Sequence, residues 1–150
     1  MAARTPVTDG DPAHPRPARD FADGALIGAV KSGAVAAGTL DHGQHLRIAW
    51  MAAREPSLAA ALEALCPTIR AFAAHAGKPD IYHETITVGL LVLIRERVLS
   101  EGCGADFEGF LARNEDLMDW KALLRRHWTD DVLGSDRARA VFVLPRPLGL

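Results

Sequence analysis

The sequence predicts an all-α fold: a single-domain helical bundle of about five main helices, followed by short helical turns near the C-terminus. Apolar residues recur at helical spacing in several segments, and Ser, Thr, Asp or Asn precedes most of these segments. No segment alternates apolar and polar residues long enough to indicate a strand. The chain has 150 residues, of which 49% are hydrophobic, and this is enough for one core without disulfides.

The N-terminal residues differ in composition from the rest of the chain. Residues 1–22 have no apolar period and contain four prolines, so we expect a disordered tail followed by a helical domain over residues 23–150. The first helical stripe covers residues 21–31. Gly33 stands where a C-terminal stop is expected.

Two further helices follow at short intervals. The second is capped by Thr39 or Asp41 and runs to Arg54, where a Glu-Pro pair prevents continuation. The third is capped by Ser57 and carries a regular stripe of large apolar side chains. Pro67 lies inside this stripe, which predicts either a kink or two short helices on one axis.

The fourth helix is the most apolar, and we expect it to be central. It begins near Tyr82 and ends at about Leu99. After a glycine-rich turn, four short helical segments are predicted: residues 107–112, a segment capped by Asn114, residues 130–133 after Thr129, and residues 136–141 after Ser135.

Composition and charge narrow the classes of function. A net charge of -2 leaves no basic excess for a phosphate backbone, so we expect no nucleic-acid partner. No apolar run is long enough to span a membrane, and the N-terminus lacks the apolar centre of a secretory signal. These features predict a cytoplasmic protein with no membrane partner. Cys66 and Cys103 are expected to be reduced thiols.

Three histidines predict a metal site. His42 and His45 lie three residues apart in the first turn of helix two, and His83 lies at the start of helix four. Consecutive helices joined by short connections pack antiparallel, so helices two and four should be parallel with their N-termini at the same end. The three imidazoles are then expected to bind a divalent transition metal, Zn or Fe.

Neighbouring residues are candidates for catalysis at this site. Glu84 is rotated away from His83 and could support a ligand from outside the inner shell, act as a base on bound water or be an occasional ligand, and Tyr82 or Thr85 could orient a bound oxygen. The competing interpretation is that the histidines are core residues whose ring nitrogens bond carbonyls or carboxylates.

Two classes of function remain open from the sequence. One is a metal-dependent enzyme that acts on an unknown small molecule. The alternative is a non-catalytic helical module in which a structural metal or a polar cluster supports binding of a protein partner, and a homo-oligomer is left open. The chain contains no glycine-rich phosphate loop, no His-Glu-x-x-His and no Gly-x-Ser-x-Gly.

Two motifs carry a resemblance to a known family. The His-x-x-His-Leu segment at 42–46 and the Tyr-His-Glu-Thr segment at 82–85, with the Arg-His-Trp-Thr run that starts at 126, resemble segments of a family of small uncharacterised bacterial helical proteins. The resemblance covers most of residues 23–145. It implies that these motifs occur together on a helical domain and implies nothing about a substrate.

Overall fold

Helices form the part of the chain that the computed structural model describes, residues 11–102, 104 and 106–146, and no strand is present in those residues. The longer helices are α1 (Asp23–Ser32), α2 (His42–Ala53), α3 (Leu58–His75) and α4 (Glu84–Glu101). The shorter ones are α5 (Phe107–Arg113), α6 (Trp120–Arg125), α7 (Asp130–Leu133) and α8 (Asp136–Ala140). Three 3-10 turns complete the helical structure: Ala18–Asp20, Pro79–Ile81 and Glu115–Asp119. The predicted all-α fold is confirmed.

Most helices begin where a side chain accepts a hydrogen bond from a free backbone N–H group. Asp41 accepts from the Gln44 amide at 3.0 Å, and Ser57 accepts from the Ala60 amide at 3.1 Å. Such caps satisfy donors that the first helical turn leaves unpaired. The predicted caps of the last two helices, Thr129 and Ser135, are confirmed as well.

One predicted cap is wrong. Asn114 does not cap the segment that follows it; its amide donates instead to the Phe110 carbonyl at 2.9 Å and to Glu101. Asp119 caps α6 in its place, by accepting from the Ala122 amide. A 3-10 turn therefore separates Asn114 from the helix that it was expected to cap.

Helix α3 continues through its proline. Pro67 lies inside a single α-helix, so the alternative of two short helices is wrong. The proline cannot donate to the Glu63 carbonyl, but both residues are exposed, and water can bond that carbonyl. Thr68 donates its hydroxyl to the Ala64 carbonyl at 2.6 Å in the same turn.

The N-terminal boundary lies earlier than residue 22. The backbone of Arg16 pairs with the loop after α1: its amide donates to the Ala34 carbonyl at 2.9 Å, and its carbonyl accepts from the Ala36 amide at 2.7 Å. Ala18 and Phe21 are buried in the core. The sequence predicts a disordered tail over residues 1–22, whereas in the structure backbone pairing and two apolar side chains hold residues 16–21 on the helical domain. Residues 1–10 of the predicted tail lie outside the described residues.

Helices α2, α3 and α4 form the centre of the bundle. Arg95 on α4 donates to the carbonyls of Ala53 and Glu55 just where α2 ends, while the first turns of both helices lie together at the opposite end. Helices α2 and α4 are therefore parallel, as predicted. Trp50 on α2 and Leu91 and Ile94 on α4 are fully buried in the core.

No helix in the described part of the chain combines the length and the apolar content needed to cross a bilayer. Cys66 is a buried free thiol, and Cys103 lies outside the described residues.

Candidate functional site

A cavity of about 400 Å³ opens where α2 and α4 begin, and α3 and α6 close its sides. Its walls are mainly apolar, formed by residues such as Leu46, Ala49, Leu65, Ile69, Phe72 and Leu90. The polar or amphipathic side chains on its wall are His42, His45, His83, Tyr82, Thr87 and Trp120. Among the described residues, no Lys, Arg, Asp or Glu lines it. Ligand cavities in proteins commonly have this size and this composition.

His83 differs from its predicted position. Helix α4 begins at Glu84, two residues later than expected, and His83 is its N-cap. The ring Nδ1 accepts a hydrogen bond from the Ile86 amide at 3.1 Å, and Nε2 lies 2.7 Å from the Leu133 carbonyl oxygen. Because a carbonyl oxygen only accepts, Nε2 must carry the proton. His83 is therefore a neutral, buried imidazole with both nitrogens in use.

His42 has one ring nitrogen in use. Its Nε2 donates to the Leu117 carbonyl at 3.0 Å, which ties the start of α2 to the 3-10 turn before α6. The ring also packs against Trp120, with the ring centres 5.8 Å apart. In the neutral ring Nε2 carries the proton and Nδ1 keeps a lone pair, to which no described residue hydrogen-bonds.

His45 is fixed in a similar way but with the opposite nitrogen. Its Nδ1 donates to the Asp41 carbonyl at 2.9 Å, so Nε2 keeps the lone pair. The ring meets the edge of Phe72 in a T-shaped contact. Burial lowers the pKa of His45, the Asp41 carbonyl partly offsets this shift, and the neighbouring His42 adds to it. His45 is therefore neutral near pH 7.

These bonds determine what the three histidines could offer to a metal ion. Coordination needs ring nitrogens with free lone pairs, and here only His42 Nδ1 and His45 Nε2 have them. To become a third ligand, His83 would have to release its hydrogen bond from Ile86 or its hydrogen bond to Leu133. In the described residues, no group of three or more His, Cys, Asp and Glu is placed to hold a metal ion. The predicted Zn or Fe cofactor stays a prediction.

Glu84 and Tyr82, the predicted catalytic pair, belong to a hydrogen-bonded network with Arg70. Glu84 Oε2 accepts from the Tyr82 hydroxyl at 2.5 Å and from Arg70 at 2.9 Å. The Arg70 guanidinium also lies 4.6 Å from the centre of the Tyr82 ring. Tyr82 lines the cavity, whereas Glu84 does not. The catalytic role of this pair stays a prediction.

Burial raises the pKa of the Tyr82 hydroxyl well above its ordinary value, and the bond to Glu84 raises it further. Cys66 lies beside this hydroxyl. Burial likewise raises the pKa of the Cys66 thiol. The network therefore holds Tyr82 as a fixed, protonated wall of the cavity.

Several wall residues were not predicted as part of a site. Phe72 and Trp120 were assigned only to apolar helical stripes, and Thr87 carried no signal at all. Aromatic side chains near the predicted histidines would have been the available clue, but core residues show the same spacing.

In comparisons with known proteins, no family model, no curated protein and no solved structure matches the chain.

Proposed function

We propose that this protein binds a small, mainly apolar molecule in the cavity between α2, α3, α4 and α6. The observation that carries the proposal is the composition of the wall: large aliphatic and aromatic side chains surround about 400 Å³, with the imidazoles of His42 and His45 on the α2 side. Transfer of apolar ligand surface from water into such a cavity is favourable by about 25 cal/mol per Å². The imidazoles then fix the orientation of the ligand.

Binding accounts for the geometry better than catalysis by the predicted residues. Glu84 does not line the cavity, and its Oε2 accepts from both Arg70 and Tyr82, so the carboxylate is not placed to act as a base toward a ligand there. The phenol of Tyr82 is itself a donor to Glu84 and has no second proton to offer. An enzymatic role would need a rearrangement of this network.

A metal-dependent function of the same cavity is the second candidate. It is favoured by one observation, namely that two neighbouring histidines in the first turn of α2 each keep a ring nitrogen with a free lone pair. In this version His42 and His45 are the protein ligands of Zn or Fe, and the bound molecule or water supplies the others. The protein-partner alternative, the bacterial family and the cytoplasmic location stay predictions.

Two adjacent alanines of α3 provide a matched test of the cavity. Ala73 is buried on the cavity wall, whereas Ala74 is exposed on the next position of the same helix. Ala73→Leu fills part of the cavity, and Ala74→Leu adds the same side chain on the outside. Binding of the fluorescent probe N-phenyl-1-naphthylamine should weaken about fivefold in Ala73→Leu, which corresponds to about 1 kcal/mol.

The control variant should bind the probe as the wild type does, and urea denaturation should confirm that both variants are folded. Equal affinities in Ala73→Leu and Ala74→Leu, or no binding to the wild type, would contradict the proposal.

A further inference from the structure

We propose that the ligand of this cavity is a neutral molecule with a hydroxyl group, an alcohol or a phenol, which donates a hydrogen bond to His42 or His45. This inference rests on the proposed function and adds the chemical class of the ligand to it. It follows from the hydrogen bonds that the histidines already make and from the absence of charged side chains on the described wall.

The first step concerns the direction of the hydrogen bond. His42 and His45 each give their ring proton to a backbone carbonyl, those of Leu117 and Asp41. What remains on each ring is an acceptor, the lone pair of Nδ1 on His42 and of Nε2 on His45. A ligand that bonds either ring must therefore bring a donor.

The other polar groups on the wall do not reverse this preference. His83 has both ring nitrogens engaged, and the Tyr82 hydroxyl has given its proton to Glu84. The Thr87 hydroxyl can donate as well as accept, and the Trp120 indole N–H donates, so both groups are compatible with a ligand hydroxyl, which donates and accepts. The histidine side of the cavity is an acceptor surface.

The second step concerns charge. Among the described residues, the lining holds no Lys or Arg to pair with an anion and no Asp or Glu to pair with a cation. A charged group taken into an apolar cavity without a partner loses its hydration and gains little in return. The cavity therefore selects against carboxylates and ammonium ions.

The protonation of the wall agrees with this selection. Burial lowers the pKa of His45, so the ring does not readily become a cation that could pair with a carboxylate. The lone pair on Nε2 is thus available to a donor over the neutral pH range. Phe72, Tyr82 and Trp120 add aromatic surface that suits a flat apolar body.

Three naphthalenes that share one apolar body test the inference on the wild-type protein. 1-Naphthol carries the donor, 1-methoxynaphthalene has the oxygen without the proton, and 1-naphthoate carries a negative charge. Isothermal titration calorimetry at pH 7 should show that 1-naphthol binds about tenfold more tightly than the ether. This ratio corresponds to about 1.4 kcal/mol, the free energy of one hydrogen bond. The naphthoate should bind more weakly than 1-naphthol.

Variants of the histidines locate the acceptor. His42→Phe and His45→Phe keep an aromatic ring and remove the lone pair. At least one of these variants should therefore bind 1-naphthol and the ether with nearly equal affinity. The affinity for the ether should stay close to the wild-type value. His75→Phe is the matched control, because His75 also bonds a backbone carbonyl, that of Lys31, but does not line this cavity. The control should keep the wild-type ratio.

The outcomes separate the two proposals. If 1-naphthol and its ether bind the wild type equally well, or if the naphthoate binds most tightly, the hydroxyl class is wrong although the cavity still binds ligands. If the wild-type ratio persists in both histidine variants, the acceptor assignment is wrong. If none of the three compounds binds, the proposed function itself fails. The wild-type comparison decides the ligand class even if a variant does not fold.

Discussion

Replacing Thr85 by valine tests how the C-terminal segment, residues 141–146, is held on α4. The Thr85 side chain is fully buried, and its hydroxyl makes two hydrogen bonds: it donates to the Val141 carbonyl at 2.8 Å and accepts from the Val143 amide at 3.1 Å. Valine has nearly the same shape as threonine but can make neither bond. The substitution therefore removes the polar attachment with little change in volume.

The expected cost follows from these two bonds. A typical intramolecular hydrogen bond contributes about 1 kcal/mol net, so the loss of both should reduce the free energy of unfolding by about 2 kcal/mol. In a chain of this size that corresponds to a fall in melting temperature of about 6 °C. Trp128 Nε1 also donates to the Val143 carbonyl at 2.8 Å, so the segment should loosen without detaching completely.

Urea denaturation followed by circular dichroism measures this loss, and amide hydrogen exchange at Val143 should become faster. Thr87→Val is the matched control: it lies one half-turn further along α4, and its hydroxyl bonds no other described residue. It should change stability by less than about 0.5 kcal/mol. A Thr85→Val protein that is as stable as Thr87→Val would refute the reasoning.

Three further predictions concern other parts of the molecule. Deleting residues 1–20 should lower the melting temperature by several degrees, because it removes the buried Ala18 and the pairing of Arg16 with the loop after α1. An unchanged melting temperature in differential scanning calorimetry would show that this segment contributes nothing to stability. The pKa of His45 in the folded protein lies below its ordinary value of 6.5, so the unfolded chain binds the proton more readily. Acidification below about pH 6.5 should therefore destabilise the wild type more than His45→Gln. Equal losses of stability in the two proteins would argue against this linkage. If the cavity binds a metal ion, elemental analysis should find close to one transition metal per chain, and His45→Ala should lose most of that metal. A chelator should shift the melting temperatures of the wild type and of His83→Leu equally, because His83 has no free ring nitrogen.

Local sequence rules were sufficient for much of the fold. Ser57, Thr129 and Ser135 each cap a helix as predicted, and Asp41, one of the two predicted candidates, caps α2. A short polar side chain before an apolar period has a direct local role as a cap. The N-terminal segment was missed because its order depends on backbone bonds between Arg16 and residues 34 and 36, which are distant in sequence. No local pattern records such a pairing.

The site was only partly predictable for a related reason. Helical spacing and parallel packing of α2 and α4 were enough to bring His42, His45 and His83 to one cavity. The bonding of each ring was not predictable, because the carbonyls of Leu117 and Leu133 come from the distant C-terminal third of the chain. His83 also acts as an N-cap, a role that is usually filled by Ser, Thr, Asp or Asn.

The most direct test of the central claim, that the cavity binds a small neutral molecule, is a titration of the isotopically labelled wild-type protein with 1-naphthol, followed by amide chemical shifts. We expect saturable shifts concentrated on residues that line the cavity, such as Ala49, Ala73 and Leu90, while the exposed outer face of α4 around Val92 and Glu96 stays unchanged. Shifts that do not saturate, or that concentrate away from the cavity, would contradict the claim.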